Sequence, residues 1–397
     1  MQAFTYHVPT EIVFGPGTES QTAAMVKKYG GTKALVVYGE GSVVKSGLLD
    51  KITAQLDSEG IAYLKYGGAM PNPHLSFAHA GIKAALHFGA DFILAIGGGS
   101  AIDAAKAIAH GTKNPETDIW KFWLREEPLT KSLPVGVVLT ISAAGSETSN
   151  SAVLTNTETG QKRGINTEFN RPRFAIMNPE LTYSLPKYHI ACGIADIMMH
   201  TMDRYFSPEC QVTQASEMTD EIAEGLLRVV ILNGLKALKN PTDYQAQSEI
   251  MWSGSLSHNG ICGLGRTFDF SVHQLGHELS GRFDVAHGAS LTTMWGHWAR
   301  YTMDVDTGRF ARYARKVWGV TAECDVAAAK EGIAKTEGYF KSIGMPTCFT
   351  ALGIGTQTDD VIDQLADFCV HHGKRLVGSF KPLDKNDVYA IYKAANK

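Results

Sequence analysis

The sequence predicts an α/β domain built on a parallel sheet, followed by an all-helical domain. Three observations carry that prediction. The 397 residues exceed what one hydrophobic core usually organises. Up to about residue 185, short β-branched runs alternate with longer amphipathic ones, which implies parallel strands joined by right-handed crossovers. Beyond Pro186 the strand signal fades and helix-length segments follow one another. SLPK at 184–187 ends the strand-rich half, so the expected domains are 1–185 and 186–397.

Composition narrows the partners. A net charge of −3 arises from interspersed acidic and basic residues, without a basic stripe or acidic tail, so nucleic acid and membrane surfaces are poor partners and a small molecule fits better. The N-terminus MQAFTYHVPTEIVFG lacks a signal-peptide pattern and no apolar run reaches spanning length, so a cytoplasmic protein is expected. Six cysteines without a C-x-x-C pair suggest reduced, mostly buried thiols rather than a disulfide framework or a thiolate zinc cluster.

Taken in order, EIVF (11–14), KALVVY (33–38), IAYLKY (61–66) and FILAIG (92–97) read as strands, with a helix over 74–88 between the last two. Ligands of open parallel sheets bind beyond the carboxyl ends of the strands, where this sequence places its glycines. In GGGSAIDAAKAIA, Gly97, Gly98 and Gly99 follow a buried strand, Ser100 reads as the N-cap of the next helix, and Asp103 lies within that helix. Bare glycines admit a phosphate to the backbone, and the helix start offers free N–H groups and the positive end of its dipole. The same turn without a ligand is a plain strand-to-helix connection, since G-x-G-x-x-G is not matched.

A second glycine turn, YGEGS, closes the strand 33–38 with Gly39, Glu40, Gly41 and Ser42. Gly39, Ser42 and Lys45 leave room for the 2′-phosphate of NADP, whereas Glu40 offers an acceptor for the ribose hydroxyl of NAD. LTISAAGSETS (139–149) supplies small and hydroxyl residues after the strand VGVV, and SAVLTN with KRGIN form an expected hairpin across 157–160. Lys162 on that hairpin reads by itself as a solvated surface charge. FAIMNPELTYSLP reads as a last strand and turn.

The second half favours helices over 187–206, 212–239, 243–258, 288–301 and 326–343. In GIADIMMHTMD, Asp196 and His200 stand four apart and share one helix face, and His273 and His277 repeat that spacing. His287 follows ten residues later, before a glycine. One carboxylate and clustered imidazoles form a mixed O/N donor set suited to divalent iron, zinc, manganese, cobalt or nickel. The H-x-x-x-H pair lacks the glutamate of the zinc-protease helix. A divalent ion beside a dinucleotide points to hydride exchange at a carbonyl or alcohol carbon, and one of the histidines can serve as proton carrier instead of ligand.

With these residues in hand, the chain resembles the iron-containing (group III) alcohol dehydrogenases, most closely the branch of NADPH-dependent butanol dehydrogenases and broad-range aldehyde reductases. FGPG, YGEGS, PNPH, GGGS with Asp103, the GSE loop, NPELTYSLP, GIADIMMH and H-x-x-x-H followed by AHG carry the likeness along nearly the whole chain. The resemblance implies a dehydroquinate synthase-like architecture, in which a Rossmann-like dinucleotide-binding α/β domain faces a helical metal-binding domain. It implies metal ligands Asp196, His200, His273 and His287, with His277 left for proton relay or substrate positioning. It also implies cofactor contacts at Gly39, Ser42, Asn72, Gly97, Gly98, Gly99, Ser100, Asp103, Thr140, Lys162 and Leu181. The expected cofactors are NADP(H), with NAD(H) as the variant, and one divalent metal, foremost Fe2+; the expected assembly is a homodimer. Two departures stand out: Ala144 replaces a threonine frequent beside GSE, and Glu40 interrupts a plain glycine run.

Competing readings are an NAD-linked polyol dehydrogenase or dehydroquinate-synthase-like lyase of the same fold and, from another class, a metal-dependent hydrolase or non-catalytic metal-binding protein. A phosphate-bearing substrate needs basic residues near the metal, and Arg204, Arg266 and Arg282 are few and scattered. Trp120, Trp123, Trp252, Cys262 and Phe268 are apolar residues available to line a substrate pocket, although such residues more often fill cores.

Overall fold

The computed structural model describes residues 2–39, 41–207 and 216–397. Glu40, Cys210 (one of the six cysteines) and residues 212–215 of the predicted 212–239 helix lie outside the described residues. The chain divides into two compact units, His7–Leu185 and Pro186–Lys397, and the residues preceding His7 group with the second. That last point departs from the expected 1–185 domain, and the backbone gives the reason: the Gln2 N–H donates to the Gly265 carbonyl at 2.9 Å.

Among its described residues the first unit holds eight strands: β1 (Glu11–Phe14), β2 (Lys33–Tyr38), β3 (Ala62–Gly67), β4 (Phe92–Gly97), β5 (Val135–Leu139), β6 (Ser151–Asn156), β7 (Gln161–Asn166) and β8 (Phe174–Met177). Six of them form one parallel sheet in the order β1-β8-β5-β4-β2-β3, while β6 and β7 pair as an antiparallel hairpin. Its helices are α1 (Thr22–Lys28), α2 (Ser42–Lys45), α3 (Leu48–Ser58), α4 (Leu75–Phe88), α5 (Gly99–Lys113) and α6 (Trp120–Leu124). Parallel strands are covered on both faces, and β4, β5 and β8 are accordingly buried along their whole lengths. Alternate residues Phe92, Leu94 and Ile96 of β4 pack with Val26, Ile52 and Leu56 from α1 and α3, each such side chain contributing about 1.5–3 kcal/mol on burial.

The strand order decides where a ligand can enter. From β2 the chain moves outward to β3, then crosses back to β4 on the other side of β2 and continues through β5 to β8. The point of reversal lies between β2 and β4, where Tyr38 stands opposite Ile96. Gly39 and Gly97 therefore flank the carboxyl-end crevice at a topological switch point.

The second unit contains α7 (Lys187–Tyr205), α8 (Glu217–Lys239), α9 (Tyr244–His258), α10 (Ser271–Phe283), α11 (His287–Thr302), α12 (Thr307–Trp318), α13 (Asp325–Ser342), α14 (Phe349–Leu352), α15 (Asp359–Cys369) and α16 (Lys385–Ala395). Among its described residues the β structure is confined to an isolated bridge between Val377 and Leu383. Helices α7 and α11 are buried nearly all round, so they form the centre of this unit. The end of α7 is anchored by Arg309, whose guanidinium lies 3.5 Å from the Tyr205 ring centroid and donates to the fully buried Asp220 of α8.

Among the described residues, no helix is long and apolar enough to cross a membrane. The five cysteines among the described residues are free thiols: Cys262 and Cys369 are buried, Cys192 and Cys348 half-buried, and Cys324 exposed.

Candidate metal centre and nucleotide cradle

The helical spacing of α7 delivers Asp196 and His200 on one face, both buried. Helix α10 adds His273, also buried. His287 is the first residue of α11, placed there after the helix reversal at Asp284, which adopts a left-handed conformation with φ 50°. The next residue explains how closely α11 can approach α7. A Cβ on Gly288 would overlap the Cys192 carbonyl oxygen and stand 2.9 Å from Cys192 Cα, so only glycine admits this packing one turn before Asp196.

The three imidazoles converge on a single atom. Asp196 Oδ1 lies 3.4 Å from His200 Nε2, 3.7 Å from His273 Nε2 and 3.7 Å from His287 Nε2. Asp196 Oδ1 and His273 Nε2 are buried without a hydrogen-bond partner, which elsewhere in a protein interior costs about 1–3 kcal/mol per group. These separations exceed N–H···O bonds but match donors each about 2.1 Å from a shared ion, which stand roughly 3.4 Å apart in a tetrahedral arrangement. The residues thus fit a divalent metal. Asp196, His200 and His273 form the tightest group, with donor atoms within 4.8 Å of one another. His277 sits beside them, its ring centroid 5.3 Å from His287 and 6.3 Å from His273.

Two neighbours escaped the sequence reading. His258, the last residue of α9, lies face to face with His200, ring centroids 3.9 Å apart and planes 32° from parallel. Asp203 Oδ2 accepts from His273 Nδ1 at 2.6 Å. Asp203 was legible in principle, since it follows Asp196 by seven residues, two turns of the same helix; His258 belongs to another helix and left no pattern. Electrostatics separate the histidines. Burial, then His258 and His273, holds His200 well below its ordinary pKa. Burial also opposes charge on His273, but Asp196 and Asp203 outweigh it and raise its pKa.

In the α/β unit, Gly97, Gly98 and Gly99 form the junction of β4 and α5. Side chains are excluded by packing as well as by any ligand: a Cβ on Gly97 would meet Ala101 Cβ at 2.8 Å, and one on Gly98 would meet Ile141 Cβ at 3.0 Å. Gly98, not Ser100, is the N-cap, because the helix begins two residues earlier than the Ser100 hydroxyl suggested, and Ser100 lies in the first turn. The 15-residue α5 therefore points free backbone N–H groups at the switch point. Gly39 follows β2, where a Cβ would stand 3.2 Å from the Ala69 carbonyl, and Ser42 with Lys45 is exposed on α2.

Other expected contacts are structural knots as well. Asp103 accepts from Ser146 Oγ at 2.6 Å and from the Val153 N–H at 2.9 Å, which joins α5 to the GSE loop and β6. Burial pushes its carboxyl up against the opposing pull of Lys106. Lys106 is wholly buried, donates to Ser146 O at 2.8 Å and Ser151 O at 2.7 Å, and is lowered by burial to about 8. Lys162 corrects the surface-charge reading: it is 6% exposed and donates to Asn72 Oδ1 at 2.9 Å. Asn72, left-handed with φ 53° in the PNPH loop, makes that contact with the β7 lysine, which strand periodicity could not reveal. Thr140 donates its backbone N–H to the Gly97 carbonyl, placing it at the cradle. Leu181 packs on the sheet core. Trp120 and Trp123 are core residues of the α/β unit, whereas Trp252 and Phe268 of the helical unit are 40% and 44% exposed, and Cys262 is buried.

Residues 9–179 match the family model of iron-containing alcohol dehydrogenases, and residues 190–396 match the model of the C-terminal part of the Fe-containing alcohol dehydrogenase family. The chain is 37% identical over 395 residues to NADH-dependent butanol dehydrogenase A of Clostridium acetobutylicum, spanning 99% of both proteins. It is 31% identical over 398 residues to the NADPH-dependent aldehyde reductase YqhD of Escherichia coli, spanning 100% of both. The crystal structure of NADH-dependent butanol dehydrogenase A from Thermotoga maritima superposes with a TM-score of 0.95 at 32% identity, covering 100% of this chain and 99% of that one. With its glycine turns at the switch point of a parallel sheet and its buried carboxylate facing three imidazoles, the chain belongs to the iron-containing alcohol dehydrogenase family.

Proposed function

We propose that this protein is a metal-dependent, NADP(H)-linked alcohol dehydrogenase that works mainly as a reductase of small aldehydes. The observation that carries the proposal is the convergence of His200, His273 and His287 Nε2 on the unpartnered Asp196 Oδ1. These four residues would hold one divalent ion, with Fe2+ the metal the family's name favours. When bound, ion and nicotinamide together supply polarisation of the carbonyl oxygen and a hydride for its carbon. The chain supplies the rest. Gly97, Gly98 and Gly99 bring the backbone and the α5 terminus to the pyrophosphate, and Thr140 and the Lys162–Asn72 pair line the nicotinamide side. His277, half-buried beside His287, carries the proton that an alkoxide oxygen needs to leave as an alcohol.

Gly39 at the end of β2, with exposed Ser42 and Lys45, supports a 2′-phosphate and hence NADP(H). A second reading, NAD(H), is favoured by relatives of 34–37% identity named NADH-dependent. The test is oxidation of NADPH or NADH with butanal by protein reconstituted with Fe2+ or Zn2+. Aldehyde-dependent turnover that disappears on chelation and returns with metal supports the proposal. Undiminished turnover by metal-free protein overturns the metal role, and a higher kcat/KM with NADH overturns the cofactor preference.

A further inference from the structure

Asp203 has 1% side-chain exposure and does not touch Asp196 Oδ1; its partner is His273. Oδ2 accepts from His273 Nδ1 at 2.6 Å and from the His273 backbone N–H at 3.3 Å. His273 is the third residue of α10, so that N–H is one of the first-turn donors that the helix leaves without an internal partner. The carboxylate thus meets the positive end of α10 as well as the ring. The contact is locked from behind. The Asp203 carbonyl accepts the Asp269 N–H at 3.1 Å. Asp269 in turn accepts backbone N–H bonds from Ser271 at 2.8 Å, Ser379 at 2.8 Å and Phe380 at 2.7 Å, pinning the start of α10.

An ionised carboxylate only accepts hydrogen bonds. In the neutral imidazole of His273, Nδ1 must then carry the proton, and Nε2 presents its lone pair toward Asp196. His200 has no such support, because its Nδ1 is buried without a partner. We infer that Asp203 is a positioning residue for the metal cage, fixing His273 in the Nδ1–H tautomer and strengthening Nε2 as a donor. This inference rests on the reading of Asp196, His200, His273 and His287 as ligands. Outer carboxylates of this kind change metal affinity on the order of 10- to 100-fold.

Asp203→Asn keeps the size of the side chain and an acceptor for the α10 N–H. Its amide can also donate to Nδ1, which moves the ring proton to Nε2 and blocks that donor. The experiment titrates full-length, metal-free protein with Co2+, following the visible d–d absorption against a competing chelator, and compares metal-free melting temperatures. The expected result is roughly 10- to 100-fold weaker Co2+ binding by Asp203→Asn, an unchanged metal-free melting temperature, and recovery of most of the affinity in Asp203→Glu. Should Asp203→Asn not fold, Asp203→Glu against Asp203→Gln makes the same comparison at matched length. Equal Co2+ affinity within each carboxylate–amide pair overturns the inference while leaving the cage standing. Failure of the wild-type chain to take up one Co2+ overturns the cage and the inference together.

Discussion

Both units bury ionisable side chains, but they do so differently. In the α/β unit, Asp103, Lys106 and His110 are interior groups whose polar atoms meet protein partners; His110 Nε2 donates to Asn170 Oδ1 at 2.8 Å and Nδ1 faces Ser132 Oγ at 2.8 Å. In the helical unit, Asp196, His200 and His273 are equally buried, yet each leaves an atom unpartnered. Burial alone therefore does not mark a ligand site; here the mark is that several buried titratable side chains leave atoms unpartnered and face one another across a single point. The contrast extends to the chemistry. The α/β unit offers a ligand mostly backbone, through glycines and a helix terminus, while the helical unit offers side chains.

Replacing a member of the orphan set should have the largest effect. His273→Ala is expected to lower kcat for butanal reduction on the order of 10^3-fold, about 4 kcal/mol, and to abolish stoichiometric metal uptake measured by elemental analysis. An activity loss without loss of metal would break the distinction between the buried groups of the two units.

Next comes the packing that brings the cage together. Gly288→Ala forces α11 away from the Cys192 carbonyl and is expected to destabilise the fold by about 2–3 kcal/mol. Urea unfolding measures this, and metal affinity should fall with it. A wild-type unfolding midpoint would show that the close approach is not required.

The satisfied histidine should announce itself through stability instead of activity. Burial holds His110 at about 4, below the ordinary 6.5. As pH falls through 6.5 the unfolded chain takes up this proton while the folded chain does not, so stability is lost down to about pH 4. Between pH 7 and pH 5 this amounts to about 2 kcal/mol. His110→Gln should flatten the pH dependence of urea unfolding by that amount and leave kcat at pH 7 nearly unchanged; an unaltered slope would remove His110 from the account.

The smallest effect belongs to the exposed cofactor residues. Lys45→Ala should raise KM for NADPH roughly two- to fivefold, the worth of one solvent-screened charge, and leave KM for NADH unmoved. Equal changes for both cofactors would dissociate Lys45 from the 2′-phosphate.

The sequence by itself determined many of the elements and several of their edges. β1, β2 and β4 begin and end where their β-branched runs do, and α7 and α9 end within one residue of the predicted limits, because local periodicity and breakers govern those choices. It also placed Asp196 with His200, and His273 with His277, on shared helix faces, since 3.6 residues per turn requires it. Which faces meet was beyond the reach of periodicity, and the family resemblance alone gathered Asp196, His200, His273 and His287 into one set. Only the tertiary structure decided that His273 and His287 approach Asp196 Oδ1, that Asp203 stands behind His273, that His258 covers His200, and that Lys162 is buried against Asn72. Helical spacing sets the direction of a side chain, whereas its partner is set by the packing of helices and loops distant in sequence, here by contacts as specific as Gly288 against Cys192.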